Sequence, residues 1–128
     1  MENNDITCSV LIVDDDNDLC EILAAVIIKI CAVHVEHTLK SAEIYLSKLK
    51  PVIILLDNNL PDGTGVSHIK SILALYPDVK IVIMTADISV GLREMAIEEG
   101  AVKFITKPFR AKTLNEIIFS ICAELRAA

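Results

Sequence analysis

Five apolar residues, Val52-Ile53-Ile54-Leu55-Leu56, run without a polar break into Asp57 and then into the turn Asn58-Asn59-Leu60-Pro61-Asp62-Gly63. A run this apolar and this rich in β-branched types suits a strand buried on both faces. The buried strands of parallel sheets point their carboxyl ends at the ligand crevice, which places Asp57 at the mouth of a site. A carboxylate there has to be paired, protonated or metal-bound. Taken alone the stretch favours a plainer role, with Asp57 capping a turn, so other residues decide.

Ser9-Val10-Leu11-Ile12-Val13 repeats the design and ends in Asp14, Asp15 and Asp16. Beyond it Leu19, Ile22, Leu23, Val26, Ile27 and Ile30 fall on one helix face, with Asp16 or Asn17 available as N-cap. Val33 to Glu36 reads as a short edge strand. Leu39 to Leu49 reads as a helix that Pro51 closes off. After the turn cluster Pro61 to Gly65, a stripe of Val66, Ile69, Leu73 and Tyr76 predicts a third helix. Lys80 to Met84 predicts a fourth strand, ending at Thr85-Ala86-Asp87. Ile88, Leu92, Met95 and Ala96 mark a weaker helix, with Gly91 inside it at about 1 kcal/mol relative to Ala and Gly100 at its end. Val102 to Ile105 is a fifth strand leading to Thr106-Lys107-Pro108-Phe109, and Leu114, Ile117, Ile118, Ile121 and Leu125 stripe a closing helix. Strands that alternate with helices call for an α/β fold, a parallel sheet covered on both faces. The strand order 2-1-3-4-5 sets the first and third strands side by side at the switch point, so that Asp14, Asp15 and Asp57 converge on one pocket.

At 128 residues the chain fits a single domain, and a 53% hydrophobic fraction with only 4% aromatics implies an aliphatic interior. The net charge of −6 works against direct nucleic-acid binding. Cys8, Cys20, Cys31 and Cys122 show no CxxC pairing and fall in apolar segments. They are expected to be small buried hydrophobes, with no disulfide frame or metal site, in a reducing compartment. The acidic start, Met1 to Asp5, lacks the pattern of a signal peptide. The longest apolar run, Ile22 to Ile28, is far shorter than the roughly 20 residues that span a bilayer. A cytoplasmic protein with no membrane contact is expected.

Converging carboxylates raise one another's pKa values, a conflict that a divalent cation relieves. Mg²⁺, held by one or two carboxylates, water and a phosphate oxygen, suits such a crevice better than Ca²⁺ or Zn²⁺. The histidines His34, His37 and His68 are placed away from the acids and given no role. Thr85 and Lys107, at the carboxyl ends of the fourth and fifth strands, bring a hydroxyl and a cation to the same edge. With Asp57 as a nucleophile toward phosphorus, metal, lysine and hydroxyl would neutralise and bind the phosphoryl oxygens.

The motifs LIVDDD, LLDNNLPDGTG, MTA and FITKPF, in this order and spacing, strongly resemble the receiver domain of two-component response regulators, from Ser9 to Leu125. The resemblance implies a flavodoxin-like (βα)5 three-layer sandwich over residues 1–128, with no output domain. It implies that Asp57 accepts a phosphoryl group from a sensor histidine kinase or phosphotransfer protein. Mg²⁺ would sit on Asp14, Asp15, Asp57 and the main-chain carbonyl of Asn59, with Asp15 as the direct ligand and the Asn59 side chain left free. Thr85 and Lys107 would bind the phosphoryl oxygens, and the Lys107–Pro108 bond is predicted cis. Thr85 and Phe104 take the switch positions. Phe104 lacks the hydroxyl of the frequent Tyr, which leaves steric coupling to a face formed by the fourth helix, fifth strand and fifth helix. Asn59 and Asp87 flank the approach of a hydrolytic water and are expected to tune the phosphorylated lifetime. A downstream protein effector and a monomeric or dimeric state fit equally.

Two rivals stand beside this expectation. Phosphatases of the haloacid-dehalogenase type share the Asp nucleophile, but the Asn58-Asn59 that follows Asp57 offers no second carboxylate in a DxD spacing, so a multiple-turnover enzyme is not expected. A receiver-like scaffold that binds partners without phosphorylation is disfavoured because every required side chain is present.

Overall fold

All five residues of the strand Ile53–Asp57 are buried, as an apolar run covered on both faces demands. The computed structural model describes residues 8–127, so the reading of the N-terminal segment Met1 to Asp5 lies outside the described residues. We number the sheet strands β1 (Ser9–Val13), β2 (Ala32–Glu36), β3 (Ile53–Asp57), β4 (Lys80–Thr85) and β5 (Lys103–Thr106). The helices are α1 (Asn17–Ile27), α2 (Leu39–Leu46), α3 (Ile69–Leu75), α4 (Leu92–Glu99) and α5 (Ala111–Ala127). All sheet pairings are parallel and the order is β2-β1-β3-β4-β5, the flavodoxin-like arrangement expected.

Alternation along the strands divides the core in two. Val10 and Ile12 of β1 and Ile53 and Leu55 of β3 face α1 and α5, packing with Leu23, Ile27, Leu114 and Ile118. Their neighbours Leu11, Val13, Ile54 and Leu56 face α2, α3 and α4, packing with Leu39, Leu46, Ile69 and Ala96. Each fully buried Leu or Ile contributes about 2 kcal/mol. Because both faces are covered, side chains of β1 and β3 can meet in a shared crevice only where the strands end, and the carboxyl ends carry the acids.

The departures from expectation are local. A two-residue ribbon, Asn59–Leu60 against Gly63–Thr64, forms inside the turn after β3. A short 3-10 turn, Val66–His68, precedes α3, and the helix buries Ile72 in preference to Leu73. Gly91 is not inside a helix: α4 starts one residue later, and Gly91 precedes it with φ 86°. The apolar stripe read through Ile88 and Met95 also fails: Ile88 lies ahead of the helix, Met95 lies within it, and both side chains are exposed. The expectation that the four cysteines stay unpaired is also overturned. Cys20 and Cys31 are free and buried, but a disulfide joins Cys8 to Cys122 across a sequence separation of 114. No local spacing announces a bond between the foot of β1 and the far part of α5, and the cysteine argument for a reducing compartment loses its support. Among the described residues, no helix is long and apolar enough to cross a membrane.

Candidate functional site

The three acids that follow β1 go three ways. Asp14 turns inward and is fully buried. Asp15 remains exposed. Asp16 becomes the N-cap of α1, its carboxylate accepting from the Leu19 amide at 3.0 Å. The Asp14 carboxylate accepts from the Asp16 amide at 3.0 Å and from Lys107 Nζ at 2.6 Å. Its backbone is pinned as well: its N–H donates to the Glu36 carbonyl at 3.1 Å, and its carbonyl accepts from the Cys20 thiol at 3.3 Å and lies 2.8 Å from His37 Nδ1. A carbonyl only accepts, so His37 carries its proton on Nδ1 in this contact.

Parallel pairing of Val13 with Leu56 sets the ends of β1 and β3 level. Carboxylate oxygens of Asp14, Asp15 and Asp57 consequently lie within 4.8 Å of one another. Lys107 Nζ reaches the cluster from beyond β5, 3.4 Å from Asp57 Oδ1. Burial pushes the Asp57 carboxyl above its usual range, and the Asp14 charge adds to it against the opposing pull of Lys107. Burial also works to lower Lys107, but its hydrogen bond to Asp14 and the charges of Asp14 and Asp57 outweigh that, and its pKa is raised. One ammonium thus leaves the carboxylates short of positive charge. The donor set consists of hard oxygens at the spacing of a shared small cation, which fits Mg²⁺ and offers nothing to a soft metal.

Thr85, the last residue of β4, is fully buried. Its Oγ1 accepts from the Asp87 amide at 3.1 Å and from Asn59 Nδ2 at 3.4 Å. With both acceptor positions occupied, the hydroxyl proton remains to be donated elsewhere. The Asn59 side chain is therefore not free, as expected from the resemblance, but tied to Thr85. The Asp87 carboxylate is turned back on its own loop, accepting from the Ser89 amide at 2.9 Å and from the Ser89 hydroxyl. These bonds hold its carboxyl below the usual range. Phe104 is buried, with the Arg93 guanidinium 5.1 Å from its ring centroid. The Lys107–Pro108 bond is cis.

Residues not singled out from sequence shape the turn after Asp57. The Asn58 side chain is buried, and its Oδ1 accepts from the Val66 amide at 3.0 Å. Gly65 packs so closely that a Cβ would stand 2.4 Å from the Asp57 carbonyl oxygen. The Asp62 carboxylate accepts from the Leu39 and Lys40 amides, both at 2.9 Å, tying this turn to the start of α2. An Asn and a Gly bracketing Pro61-Asp62-Gly63 were the available signals. His37, placed away from the site by its position in sequence, reaches it because β2 lies against β1.

A model of the family described as response regulator receiver domain matches residues 10–119. The transcriptional regulatory protein PrrA of Mycobacterium tuberculosis is 33% identical over 119 residues, covering 91% of this chain and 49% of PrrA, so the chain spans about half the length of that relative. The beryllofluoride-activated NtrC4 receiver domain dimer superposes with a TM-score of 0.86 at 32% identity, over 91% of this chain and 97% of that one. A CheY-like receiver domain protein from Methanospirillum hungatei shares the fold, with a TM-score of 0.90 at 23% identity over 95% and 98% of the two chains. The chain belongs to the response regulator receiver domain family of two-component systems.

Proposed function

Starting from a receiver domain with this pocket, we propose that Asp57 accepts a phosphoryl group from a phosphohistidine of a sensor histidine kinase or phosphotransfer protein, in a reaction that needs Mg²⁺. The observation that carries it is the convergence of Asp14, Asp15 and Asp57 with Lys107 at one sheet edge. An Asp57 carboxylate oxygen attacks phosphorus, the bond from phosphorus to the histidine nitrogen breaks, and that nitrogen keeps the electron pair. Asp14, Asp15, Asp57 and the Asn59 carbonyl would hold Mg²⁺, which would supply charge neutralisation toward the phosphoryl oxygens. The Lys107 ammonium moves from two carboxylates to the new oxygens, and the Thr85 hydroxyl donates its unused proton to one of them.

Thr85 cannot turn toward a phosphoryl group and keep both present donors. Its movement releases the Asp87 amide and the Asn59 side chain, and disturbs the loop that leads into α4. Phe104 and Arg93 pack beneath and on that helix. Ile88, Val90, Met95, Ile97 and Val102 are exposed on and around it, which suits a face that docks a downstream protein or a second copy. Asn59 positions the hydrolytic water and Asp87 tunes it. The domain acts as a phosphoacceptor that assists its own phosphorylation and dephosphorylation.

Beryllofluoride with Mg²⁺ added to ¹⁵N-labelled protein tests this. Shifts are expected at the residues around Asp57 and across α4, β5 and α5. An unchanged spectrum would overturn the phosphoacceptor in favour of a scaffold that is not phosphorylated.

A further inference from the structure

At the opposite end of the strands from Asp57, three buried cysteines meet. The β1–β2 register pairs Ser9 with Ala32, which puts Cys8 and Cys31, each one residue earlier, side by side. The Ala32 amide donates to the Cys8 carbonyl at 3.0 Å, and the Cys31 amide donates to the Ile27 carbonyl at 2.9 Å, fixing both backbones. Cys122 comes from α5 to the same point, and the three sulfurs lie within 4.8 Å of one another. Cys8 and Cys122 are joined, and Cys31 is a free thiol.

We propose that Cys8, Cys31 and Cys122 form a thiol–disulfide exchange site in which Cys31 displaces either partner from the Cys8–Cys122 bond. The Cys31 thiol gives up its proton and its sulfur attacks Cys8 Sγ. The bond between Cys8 and Cys122 breaks, the electron pair leaves on Cys122, and Cys122 takes up a proton. The products are a Cys8–Cys31 disulfide and a Cys122 thiol, with no net oxidation or reduction. Attack on Cys122 instead gives a Cys31–Cys122 disulfide and a Cys8 thiol.

Exchange suits the cluster better than metal binding, because two of the three sulfurs are spent on each other and this group holds three ligands where a closed tetrahedral site takes four. Its surroundings, Val10, Ile27, Ile53 and Ile121, are apolar. Burial raises the Cys31 thiol, partly offset by the Arg126 charge, so the reaction is slow and internal. The outcome matters mechanically. Bonds from Cys122 to Cys8 or Cys31 tether α5 to the sheet, whereas the Cys8–Cys31 bond releases it. The chemistry stands independently of phosphorylation at Asp57.

The full chain is equilibrated in a glutathione redox buffer, quenched in acid, alkylated and mapped as non-reduced peptides. Cys8→Ser is expected to give Cys31–Cys122 as the dominant disulfide, and Cys122→Ser to give Cys8–Cys31. Cys20 should be alkylated throughout. The wild type should hold mainly Cys8–Cys122 with a minor population of a Cys31 disulfide, a measurement that needs no variant to fold. If Cys31 is alkylated as a free thiol in both variants and never found bonded in the wild type, the proposal is overturned. It is equally overturned if the purified protein holds a stoichiometric metal on three reduced cysteines.

Discussion

Lys107 Nζ lies 2.6 Å from Asp14 Oδ2, joining two residues 93 positions apart at the mouth of the sheet. Replacing Lys107 with Met leaves Asp14 and Asp57 buried together without their cation, and should cost about 3 kcal/mol of folding stability. Because Lys107 is raised in the folded state, its stabilisation is complete below the ordinary lysine range and is lost as pH climbs through the raised value. Urea midpoints measured from neutral to alkaline pH should fall steeply for the wild type and less for Lys107→Met. Millimolar Mg²⁺ should restore part of the variant's stability at neutral pH.

Asp57 also lowers stability as pH rises, but in the acidic range, and by gaining a charge where Lys107 loses one. Its carboxyl is raised by burial and by Asp14, so its ionisation is a cost that develops as pH rises from the ordinary carboxylate range through its raised value. The cost is smallest in acid and grows toward neutral pH. Asp57→Asn should therefore gain about 1 kcal/mol there, with the gain shrinking toward acidic pH. Urea unfolding at the two ends of this range checks the sign.

Gly65 and Gly91 separate two reasons for glycine. A Cβ at Gly65 would stand 2.4 Å from the Asp57 carbonyl oxygen and 2.8 Å from Leu56 Cγ. Gly65→Ala should cost about 2 kcal/mol or more and disturb the acidic pocket. A Cβ at Gly91 meets nothing, but φ is +86° there, so Gly91→Ala should cost only about 1 kcal/mol. Thermal unfolding of both variants, with and without Mg²⁺, should show the metal response weakened only for Gly65→Ala.

The central strands and the acidic pocket were legible because β1, β3 and β4 each advertise themselves twice, as an apolar run and as the polar residue that ends it. Val13 before Asp14, Leu56 before Asp57 and Met84 before Thr85 needed only the strand order to be brought together. Contacts that depend on how far a loop travels were not legible. His37 reaches the Asp14 carbonyl only because β2 lies against β1, and Cys122 meets Cys8 only because α5 crosses the same face as α1. Gly91 misled because a glycine amid apolar helical spacing looks the same inside a helix as just ahead of it. Its positive φ is a property of the folded backbone.

Asn59 and Asp87 should differ in their effect on the phosphorylated lifetime. The Asn59 side chain points across the site to Thr85, whereas the Asp87 carboxylate is occupied by Ser89. Asn59→Ala should lengthen the lifetime several-fold and Asp87→Ala by less, read as decay of the phosphorylated species after the donor is removed. Unchanged decay in both variants would exclude these residues from dephosphorylation.

Incubation with acetyl phosphate and Mg²⁺, followed by intact-mass measurement and peptide mapping, tests the central claim most directly. One phosphoryl group is expected, on Asp57, absent when Mg²⁺ is chelated and absent in Asp57→Asn. Protein that stays unlabelled under these conditions, or labelling that persists in Asp57→Asn, would contradict the account.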